Sequence, residues 1–336
     1  MERSAERPVL AVDLGGTQIR AAVITPDRAV HCRRAVPTAD EEGVAAVLDR
    51  IVAVADEVRT DAAAKGITPI GVGISSPGPL DPWAGIVRIP PNLAGWRDVP
   101  LGPHVARGLG LPAFLERDTN VAVMAEWRYG AARGTRSAIY ITVSTGIGGG
   151  AILEGRPLVG PDGTAGEVGH MTVELDGPRC GCGGIGHAEA IASGTALARE
   201  GAALLTRSPD SPLARLAATG EEVDAELVAR AAEAGDPECA AMLERAWTAI
   251  GALCASLVNL LDPQIIVIGG SIAEHHPRLF EVAREELGRR AFPILLDRVR
   301  IEPAALRGDV SLVGSLPIVN DRLDDPAFAA GSRPAP

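Results

Sequence analysis

Two similar stretches of sequence, residues 9–24 and 137–153, constrain the fold of this chain more than any other feature. Each begins with an apolar strand pattern, passes through a glycine-rich turn and continues into a second apolar run. The turns are Gly15-Gly16-Thr17 and Thr145-Gly146-Ile147-Gly148-Gly149. Each stretch predicts a β-hairpin. Their recurrence predicts an internally duplicated chain.

Glycine-rich turns of this kind can bring backbone N–H groups against a phosphate, because no Cβ blocks the approach. Asp13 ends the first strand, where a carboxylate could hold Mg²⁺ directly or through water. A tight hairpin in which Asp13 only caps the turn would show the same pattern. A third glycine turn, Gly269-Gly270, follows the buried strand pattern Ile265–Ile268 and could accommodate a nucleotide base or ribose.

Four residues between Gly166 and Gly194 can ligate a soft or borderline metal: His170, Cys180, Cys182 and His187. Zinc prefers four such nitrogen and sulfur donors in a tetrahedron, and a closed site of that kind is structural. A reduced, glycine-rich loop with two incidental cysteines is the alternative. The other three cysteines (Cys32, Cys239 and Cys254) are scattered singly, which favours a zinc site.

Asp118 lies where a predicted strand, Ala113–Glu116, passes into a predicted helix that begins near Val121. It could cap that helix, or act as a general base towards a hydroxyl within hydrogen-bond reach. A long loop rich in Pro and Gly, residues 75–96, precedes it, and Gly78 in that loop is a plausible ligand contact. Upstream, Thr38 and Glu41 form a capping box, which predicts a helix start at Thr38.

Composition narrows the class of protein. The 336 residues suggest two domains, and 46% hydrophobic with 3% aromatic residues predicts a core of Ala, Val, Leu and Ile. A net charge of −11 argues against a nucleic-acid or anionic-membrane partner. No apolar run is expected to span a bilayer, and the charged start is not expected to be a secretory signal. Five cysteines fit a reducing compartment, so a cytoplasmic protein is expected.

Taken together, these residues resemble the ROK family of bacterial sugar kinases, over the chain from Asp13 to Gly270. The most specific part is Cys180-Gly-Cys-Gly-Gly-Ile-Gly, followed two residues later by Glu189. The resemblance implies a two-domain α/β fold of the actin-like ATPase (ribonuclease H-like) sugar kinase type, with a cleft between domains and a mixed five-stranded sheet in each. The expected domains are 1–117 plus 316–336, and 118–315.

The resemblance also implies roles for individual residues. Asp118 would be the catalytic base for the sugar 6-hydroxyl, and Asp13 would organise Mg²⁺. His170 would place one ring nitrogen on zinc and the other on the sugar. The sugar-binding residues would be Gly78, Arg117, Glu167, His170 and Glu189. The nucleotide-binding residues would be Asp13, Gly15, Gly16, Thr17, Thr145, Gly146, Gly148, Gly149, Gly269 and Gly270.

This chain departs from the family pattern at two informative positions. His187 stands where a third cysteine is usual, and imidazole is an equally good zinc donor. Arg117 stands where the family has a sugar-binding Asn, and Arg donates hydrogen bonds but accepts none. Arg117 could alter sugar specificity, pair with Asp118 and lower its pKa, or turn away to solvent.

The expected activity is transfer of the ATP γ-phosphoryl group to the 6-hydroxyl of a hexose such as glucose. The alternatives are a kinase for an amino-hexose (N-acetylmannosamine, N-acetylglucosamine or kanosamine type) and a non-catalytic sugar sensor or repressor. Repressors of the family carry a DNA-binding domain before the first hairpin, where this sequence has eight residues. The expected cofactors are ATP, Mg²⁺ and structural Zn²⁺, and a homodimer or homotetramer is expected.

Overall fold

The computed structural model describes residues 5–90 and 92–329, and its chain forms two compact α/β units. Among the described residues, unit 1 comprises 5–90, 92–133, 157–165 and 308–329, and unit 2 comprises 134–156 and 166–307. The ends of the first predicted domain, residues 1–4 and 330–336, lie outside the described residues. Unit 1 is larger than that prediction. It includes the helix after Asp118 and the 157–165 segment, because both contact its sheet or helices.

The strands are β1 Val9–Leu14, β2 Gln18–Ile24, β3 Val30–Pro37, β4 Val72–Ser76, β5 Leu80–Asp81, β6 Ile86–Val87, β7 Ala113–Arg117, β8 Ala138–Val143, β9 Ile147–Leu153, β10 Arg156–Pro157, β11 Ile265–Gly269 and β12 Arg300–Pro303. The helices are α1 Val44–Ala63, α2 Leu101–Leu109, α3 Asp118–Tyr129, α4 Ala188–Ala192, α5 Gly194–Arg207, α6 Pro212–Ala217, α7 Ala225–Glu233, α8 Pro237–Leu261, α9 Ser271–His275, α10 Pro277–Arg290, α11 Pro293–Leu296, α12 Val310–Val313, α13 Ser315–Arg322 and α14 Pro326–Ala329. Short 3₁₀ helices span Asp40–Glu42, Val168–His170 and Arg307–Asp309.

The two large sheets repeat one topology, as the duplicated hairpins predicted. The first has the order β3-β2-β1-β4-β7 and the second the order β10-β9-β8-β11-β12. In each, the hairpin pair is antiparallel (β1 with β2, β8 with β9) and the next two strands run parallel to the first. The predicted mixed five-stranded sheets are therefore confirmed. In such sheets, ligands bind beyond the carboxyl ends of the parallel strands.

Helices cover both faces of the first sheet. Val72 and Ile74 of β4 lie in the same apolar cluster as residues of α1. Gly73 between them faces the other side, since side chains alternate along a strand. A Cβ on Gly73 would lie 2.6 Å from the Cβ of Ser315, so α13 packs directly on that face. The carboxyl ends of β1, β4 and β7 are thereby fixed in register, with Asp13 beside Ser75 and Ser76 beside Arg117.

Helix α8 is the central helix of unit 2, where it packs against α4, α7 and α10. Asp236 caps its start, immediately before Pro237. Within the part of the chain that the structure describes, α8 alone is long and apolar enough to cross a membrane, contrary to the expectation of no such run. Because 56% of the most apolar 18-residue stretch of α8 is buried inside the protein, packing in the core explains its apolar composition.

The predicted helix start at Thr38 is wrong. Helix α1 begins at Val44, after a 3₁₀ turn and Gly43. The Thr38 hydroxyl instead donates to the carbonyl oxygen of Gly15 at 2.7 Å, and the Thr38 N–H donates to Thr17 O at 2.9 Å. Thr38 is therefore used to support the first glycine turn.

Candidate active site

The first glycine turn presents backbone donors at the end of β1. The Gly15 N–H closes the hairpin on Gln18 O at 2.9 Å. The N–H groups of Gly16 and Thr17 donate to no backbone oxygen of residues 5–90 or 92–329. A Cβ on Gly16 would lie 3.0 Å from the carbonyl oxygen of Asn92, so a larger residue would displace the neighbouring loop. Thr38 supports the turn through its two hydrogen bonds, and the N–H groups of Gly16 and Thr17 can bind an anion.

Asp13 lies in β1, just before this turn, and Arg20 binds it from the other strand of the hairpin. Arg20 donates from Nε at 2.9 Å and from Nη2 at 2.5 Å, both to Asp13 Oδ2. Arg20 is itself fixed by the Gly308 carbonyl at 2.8 Å and the Ser311 hydroxyl at 2.9 Å. Oδ1 of Asp13 accepts no hydrogen bond from the described residues. A carboxylate so oriented can offer Oδ1 to a cation or to its water.

Asp118 is the first residue of α3, directly beyond β7, and its side chain is exposed. Its Oδ1 accepts the N–H of Thr119 at 2.7 Å. The N-cap position belongs to Arg117, so the interpretation of Asp118 as the helix cap is wrong. The positive end of a helix favours a carboxylate at this position. Asp118 is thus an ionisable group fixed at the sheet edge and open to solvent or ligand.

A buried ion pair supports the junction that carries Asp118. Glu116 is 1% exposed and pairs with Arg322 of α13. The same carboxylate accepts the Arg117 N–H at 2.9 Å and the Asn120 amide at 3.0 Å. Arg322 also donates to Leu115 O at 3.1 Å. Since the buried charge is matched and hydrogen-bonded, the network positions the start of α3.

Arg117 is buried, with 3% of its surface exposed, so the alternative in which it turns to solvent is wrong. Its Nη2 donates to the carbonyl oxygen of Ala165 at 2.5 Å, which attaches the 157–165 segment to the end of β7. Its Cδ lies 3.0 Å from the position of a Cβ on Gly78. Gly78 therefore leaves the space that the Arg117 side chain occupies. The structure brings these two predicted sugar-binding residues into contact.

In unit 2 the four predicted metal ligands converge. The ligand atoms of His170, Cys180, Cys182 and His187 all lie within 4.8 Å of one another. Cys180 Sγ is 3.7 Å from His170 Nδ1, and Cys182 Sγ is 3.3 Å from His187 Nδ1. Two donors on one tetrahedral zinc are about 3.6 Å apart. The donor set and its spacing fit zinc, with each histidine turned to it through Nδ1, so that Nε2 of His170 remains for another partner.

The loop that holds these ligands is a pair of tight turns closed on itself. Cys180 N donates to Gly184 O and Gly183 N donates to Cys180 O, each at 2.9 Å. Gly183 has a φ of 96°, which favours glycine. Arg245 of α8 binds Glu174 through two hydrogen bonds of 2.9 and 2.6 Å, and this pairing lowers the pKa of Glu174. The loop is therefore attached to the core of unit 2 independently of a metal.

Burial raises the pKa of the Cys180 thiol. Metal ligation requires the thiolate. A cation must therefore displace a proton from Cys180, and its affinity falls as pH falls.

Glu189, the first acid of α4, joins the metal loop to the second glycine turn. Its Oε2 accepts the N–H of Ile147 at 3.0 Å, and its Oε1 lies 3.7 Å from Cys180 Sγ and 4.0 Å from His170 Nδ1. A Cβ on Gly146 would lie 2.8 Å from Oε2. Gly146 thus leaves room for this carboxylate, a role that the sequence did not reveal. Glu167 lies exposed just before the 3₁₀ turn that carries His170.

The remaining predicted nucleotide-binding residues fall into two groups. Thr145 and Gly146 lie in the open turn, where their N–H groups donate to no described backbone oxygen. Thr195, which the sequence interpretation missed, donates to Thr145 O at 2.9 Å and braces the turn. Gly148 and Gly149 both belong to β9. Packing explains Gly149, since a Cβ there would lie 2.5 Å from Val168 Cγ2. Gly269 and Gly270 pack in the same way against Tyr140 and Val143.

Known sugar kinases are similar to this chain over nearly its full length. A glucokinase of Thermotoga maritima is 33% identical over 315 residues, covering 94% of this chain and 98% of that protein. An N-acetylmannosamine kinase of Citrobacter koseri is 31% identical over 306 residues, covering 91% and 96%.

Solved structures are also similar to this chain over most of its length. A ROK family glucokinase from Streptomyces griseus, in complex with glucose and AMPPNP, has a TM-score of 0.78 and 30% identity, with 92% of this chain and 98% of that chain covered. A ROK family transcriptional regulator, a homologue of the E. coli MLC protein, has a TM-score of 0.83 and 25% identity, covering 97% of this chain and 81% of that one.

These similarities extend beyond either glycine turn or the metal loop alone. The ROK family profile matches residues 9–322, which include both hairpins, the Asp118 junction and the metal cluster. The chain belongs to the ROK family.

Proposed function

We propose that this protein is an ATP-dependent hexokinase that phosphorylates the 6-hydroxyl of a hexose such as glucose. The observation that supports this most directly is Asp118, an exposed carboxylate fixed at the end of β7 by Glu116, Arg322 and its own helix. Glucokinases are among the relatives that match over nearly the full length.

In this mechanism Asp118 takes the proton of the sugar 6-hydroxyl as that oxygen bonds to the γ-phosphorus and the bond to ADP breaks. The N–H groups of Gly16, Thr17, Thr145 and Gly146 would receive donor phosphate oxygens. Asp13, oriented by Arg20, would hold Mg²⁺, which neutralises phosphate charge when bound. Gly78, Arg117, Glu167, His170 and Glu189 would orient the sugar.

An amino-hexose is the second candidate substrate. The similarity to N-acetylmannosamine kinase is close to that of the glucokinases. Arg117 is the chain's own feature that bears on this choice, because it is buried, stands at a position proposed to bind the sugar, and cannot accept a hydrogen bond.

The remaining expectations are also proposals. The ligand spacing supports one structural Zn²⁺ per chain. Five free cysteines support a reducing, cytoplasmic location. A homodimer or homotetramer stays a prediction from the family resemblance.

The decisive experiment is Asp118→Asn. We expect turnover with glucose or an amino-hexose to fall by several orders of magnitude, while the sugar dissociation constant from calorimetry changes less than about threefold. Asn keeps the shape and a hydrogen-bond acceptor for Thr119. Near-normal turnover in the variant would remove Asp118 from the mechanism.

The same assay tests the non-catalytic alternative. If the unaltered protein binds a sugar but transfers no phosphoryl group from ATP to any hexose or amino-hexose, it is a sensor and the kinase proposal is wrong.

A further inference from the structure

Unit 2 carries an exposed apolar patch, which we define by Leu260, Phe292 and Ile294. These side chains are 71%, 64% and 58% exposed, and they are half of the large hydrophobic side chains that lie exposed in the described part of the chain. Asn259 joins the two segments that carry them, since its Oδ1 accepts the Phe292 N–H at 2.8 Å and its Nδ2 donates to Arg290 O at 3.5 Å. Clustered apolar surface of this kind marks an interaction site.

The apolar patch lies at the amino ends of two parallel strands of the second sheet. Helix α8 ends at Leu261 and β11 begins at Ile265, while α11 ends at Leu296 and β12 begins at Arg300. The two strands start side by side, with Ile265 paired to Arg300. The second glycine turn follows β8, which runs parallel to β11, so it lies at the opposite end of this sheet. The apolar patch is therefore separate from the candidate active site.

Four charged side chains, which we call the rim, adjoin the apolar patch. Asp262 follows the end of α8, and Asp297, Arg298 and Arg300 follow α11; all four are exposed. None of them forms an ion pair within residues 5–90 or 92–329, whereas the two arginines that end α10 are both bound by Glu286. Two acids and two bases without partners thus stand beside an apolar centre.

We propose that this surface joins two copies of the chain in a symmetric pair. In a two-fold interface the same surface lies on both sides, so it must complement itself. The apolar centre does so, and equal numbers of rim acids and bases let each acid face a base of the other copy. A rim that carries both signs equally does not favour a strongly acidic or strongly basic partner.

The overall charge makes this surface distinctive. With a net charge of −11, copies of the chain repel one another in general, whereas the rim carries no net charge. Two copies can therefore approach through this surface without that repulsion being concentrated at the contact. The inference concerns assembly and does not depend on the proposed kinase function.

The first test is the mass of the full chain in solution, measured by light scattering after size-exclusion chromatography. We expect the unaltered protein to contain an even number of chains, and Phe292→Asp to halve its mass, since that change places a charge in the apolar centre. Phe292 is 64% exposed, so the variant should keep the circular dichroism spectrum of the unaltered protein. Leu175→Asp is the matched control, because Leu175 is 88% exposed in unit 2 but outside the apolar patch, and it should leave the mass unchanged.

The second test changes only the rim. Asp297→Arg makes the rim basic, and Arg298→Glu combined with Arg300→Glu makes it acidic. Each variant alone should have half the mass of the unaltered protein, since like charges would meet across the interface. An equimolar mixture of the basic and the acidic variant should recover the full mass, because opposite charges then meet.

The unaltered chain found as a monomer at micromolar concentrations, or Phe292→Asp with an unchanged mass, would overturn the inference. So would a mixture of the two rim variants that stays dissociated. Dissociation by Leu175→Asp instead of Phe292→Asp would place the pairing on another surface, which also rejects it. Sugar phosphorylation enters none of these outcomes, so a failure of the kinase proposal would be seen separately.

Discussion

Arg117 is the residue at which the proposed sugar site departs from the family pattern. It is buried, bonded to the Ala165 carbonyl and packed against Gly78. Asn, the residue that the family pattern has at this position, is too short to make both contacts. The arginine therefore links the 157–165 segment to the predicted sugar-binding residues, and it affects the site through position as well as charge.

Replacing Arg117 with Asn should change the sugar preference. We expect the ratio of kcat/KM for glucose to that for N-acetylmannosamine to change by about tenfold or more, since a charged hydrogen bond contributes about 1.5–3 kcal/mol. The measurement is turnover across glucose, mannose, N-acetylated hexosamines and free amino-hexoses. Arg117→Lys, which keeps the charge but not the planar donor, is the matched control. An unchanged preference profile in Arg117→Asn would show that Arg117 does not set specificity.

Short motifs can be recognised in the sequence, whereas contacts with residues far along the chain cannot. Asp118, Glu189 and the predicted metal ligands stand out because each lies in a short stretch of characteristic residues. Arg20 lies opposite Asp13 in the predicted hairpin, but the contacts that fix Arg20, at residues 308 and 311, are far along the chain and were missed. Thr38 was misread for a related reason: its hydroxyl satisfies Gly15 O instead of a helix end.

Among the elements, the metal loop at 170–189 joins two parts of the predicted site. It carries the four predicted metal ligands, and its Glu189 accepts a hydrogen bond from the N–H of Ile147 in the second glycine turn. A shift of this loop would move a predicted sugar ligand and a predicted phosphate-binding turn together.

Removal of zinc tests this arrangement. We expect the purified protein to contain one zinc per chain, and Cys182→Ser to lose it, with a fall in Tm of about 5 °C or more. We expect a higher KM for both sugar and ATP, because Glu189 lies beside Cys180 and His170 of the metal loop and also binds the N–H of Ile147 in the second glycine turn. Elemental analysis and thermal unfolding measure these changes, and Cys32→Ser, in unit 1, is the control. Full zinc content in Cys182→Ser would contradict the ligand assignment.

The hairpins and their duplication were predictable because apolar strands around glycine turns are local patterns. Among the elements that were not predicted, two have a clear physical reason. β3 is an edge strand with exposed arginines, so it lacks the alternation of a half-buried strand. α2 contains Gly102 and Pro103, which are unfavourable within a helix but are tolerated in its first turn.

For the whole molecule, the C-terminal segment completes a unit that the N-terminal segment begins. Helices α12 and α13 pack on β1, β4 and α3. Asn320 exchanges two hydrogen bonds with the backbone of Arg7, at 3.0 and 3.1 Å. Arg322 supplies the buried partner of Glu116. Unit 1 is therefore built from residues at both ends of the described chain.

Arg322→Ala should lower the stability of unit 1 by about 3–5 kcal/mol, because it leaves the Glu116 charge buried without a partner. Hydrogen exchange of β4, β7 and α3 measures this, with α8 of unit 2 as an internal reference. Arg33→Ala is the matched control: Arg33 also pairs with the C-terminal segment, through Asp309, but both side chains are at least 40% exposed. That variant should cost less than about 1 kcal/mol. Equal effects of the two variants would contradict the assigned role of the buried pair.

The division of unit 1 between the two ends of the chain has a consequence for biosynthesis. Unit 2 is complete once residue 307 has left the ribosome, whereas unit 1 lacks α12, α13 and Arg322 until the final stretch is translated. The half of the protein that emerges first is thus the half that finishes folding last. A nascent chain that is arrested before residue 308 should contain a protease-resistant unit 2. Its first sheet should still lack the covering helices α12 and α13.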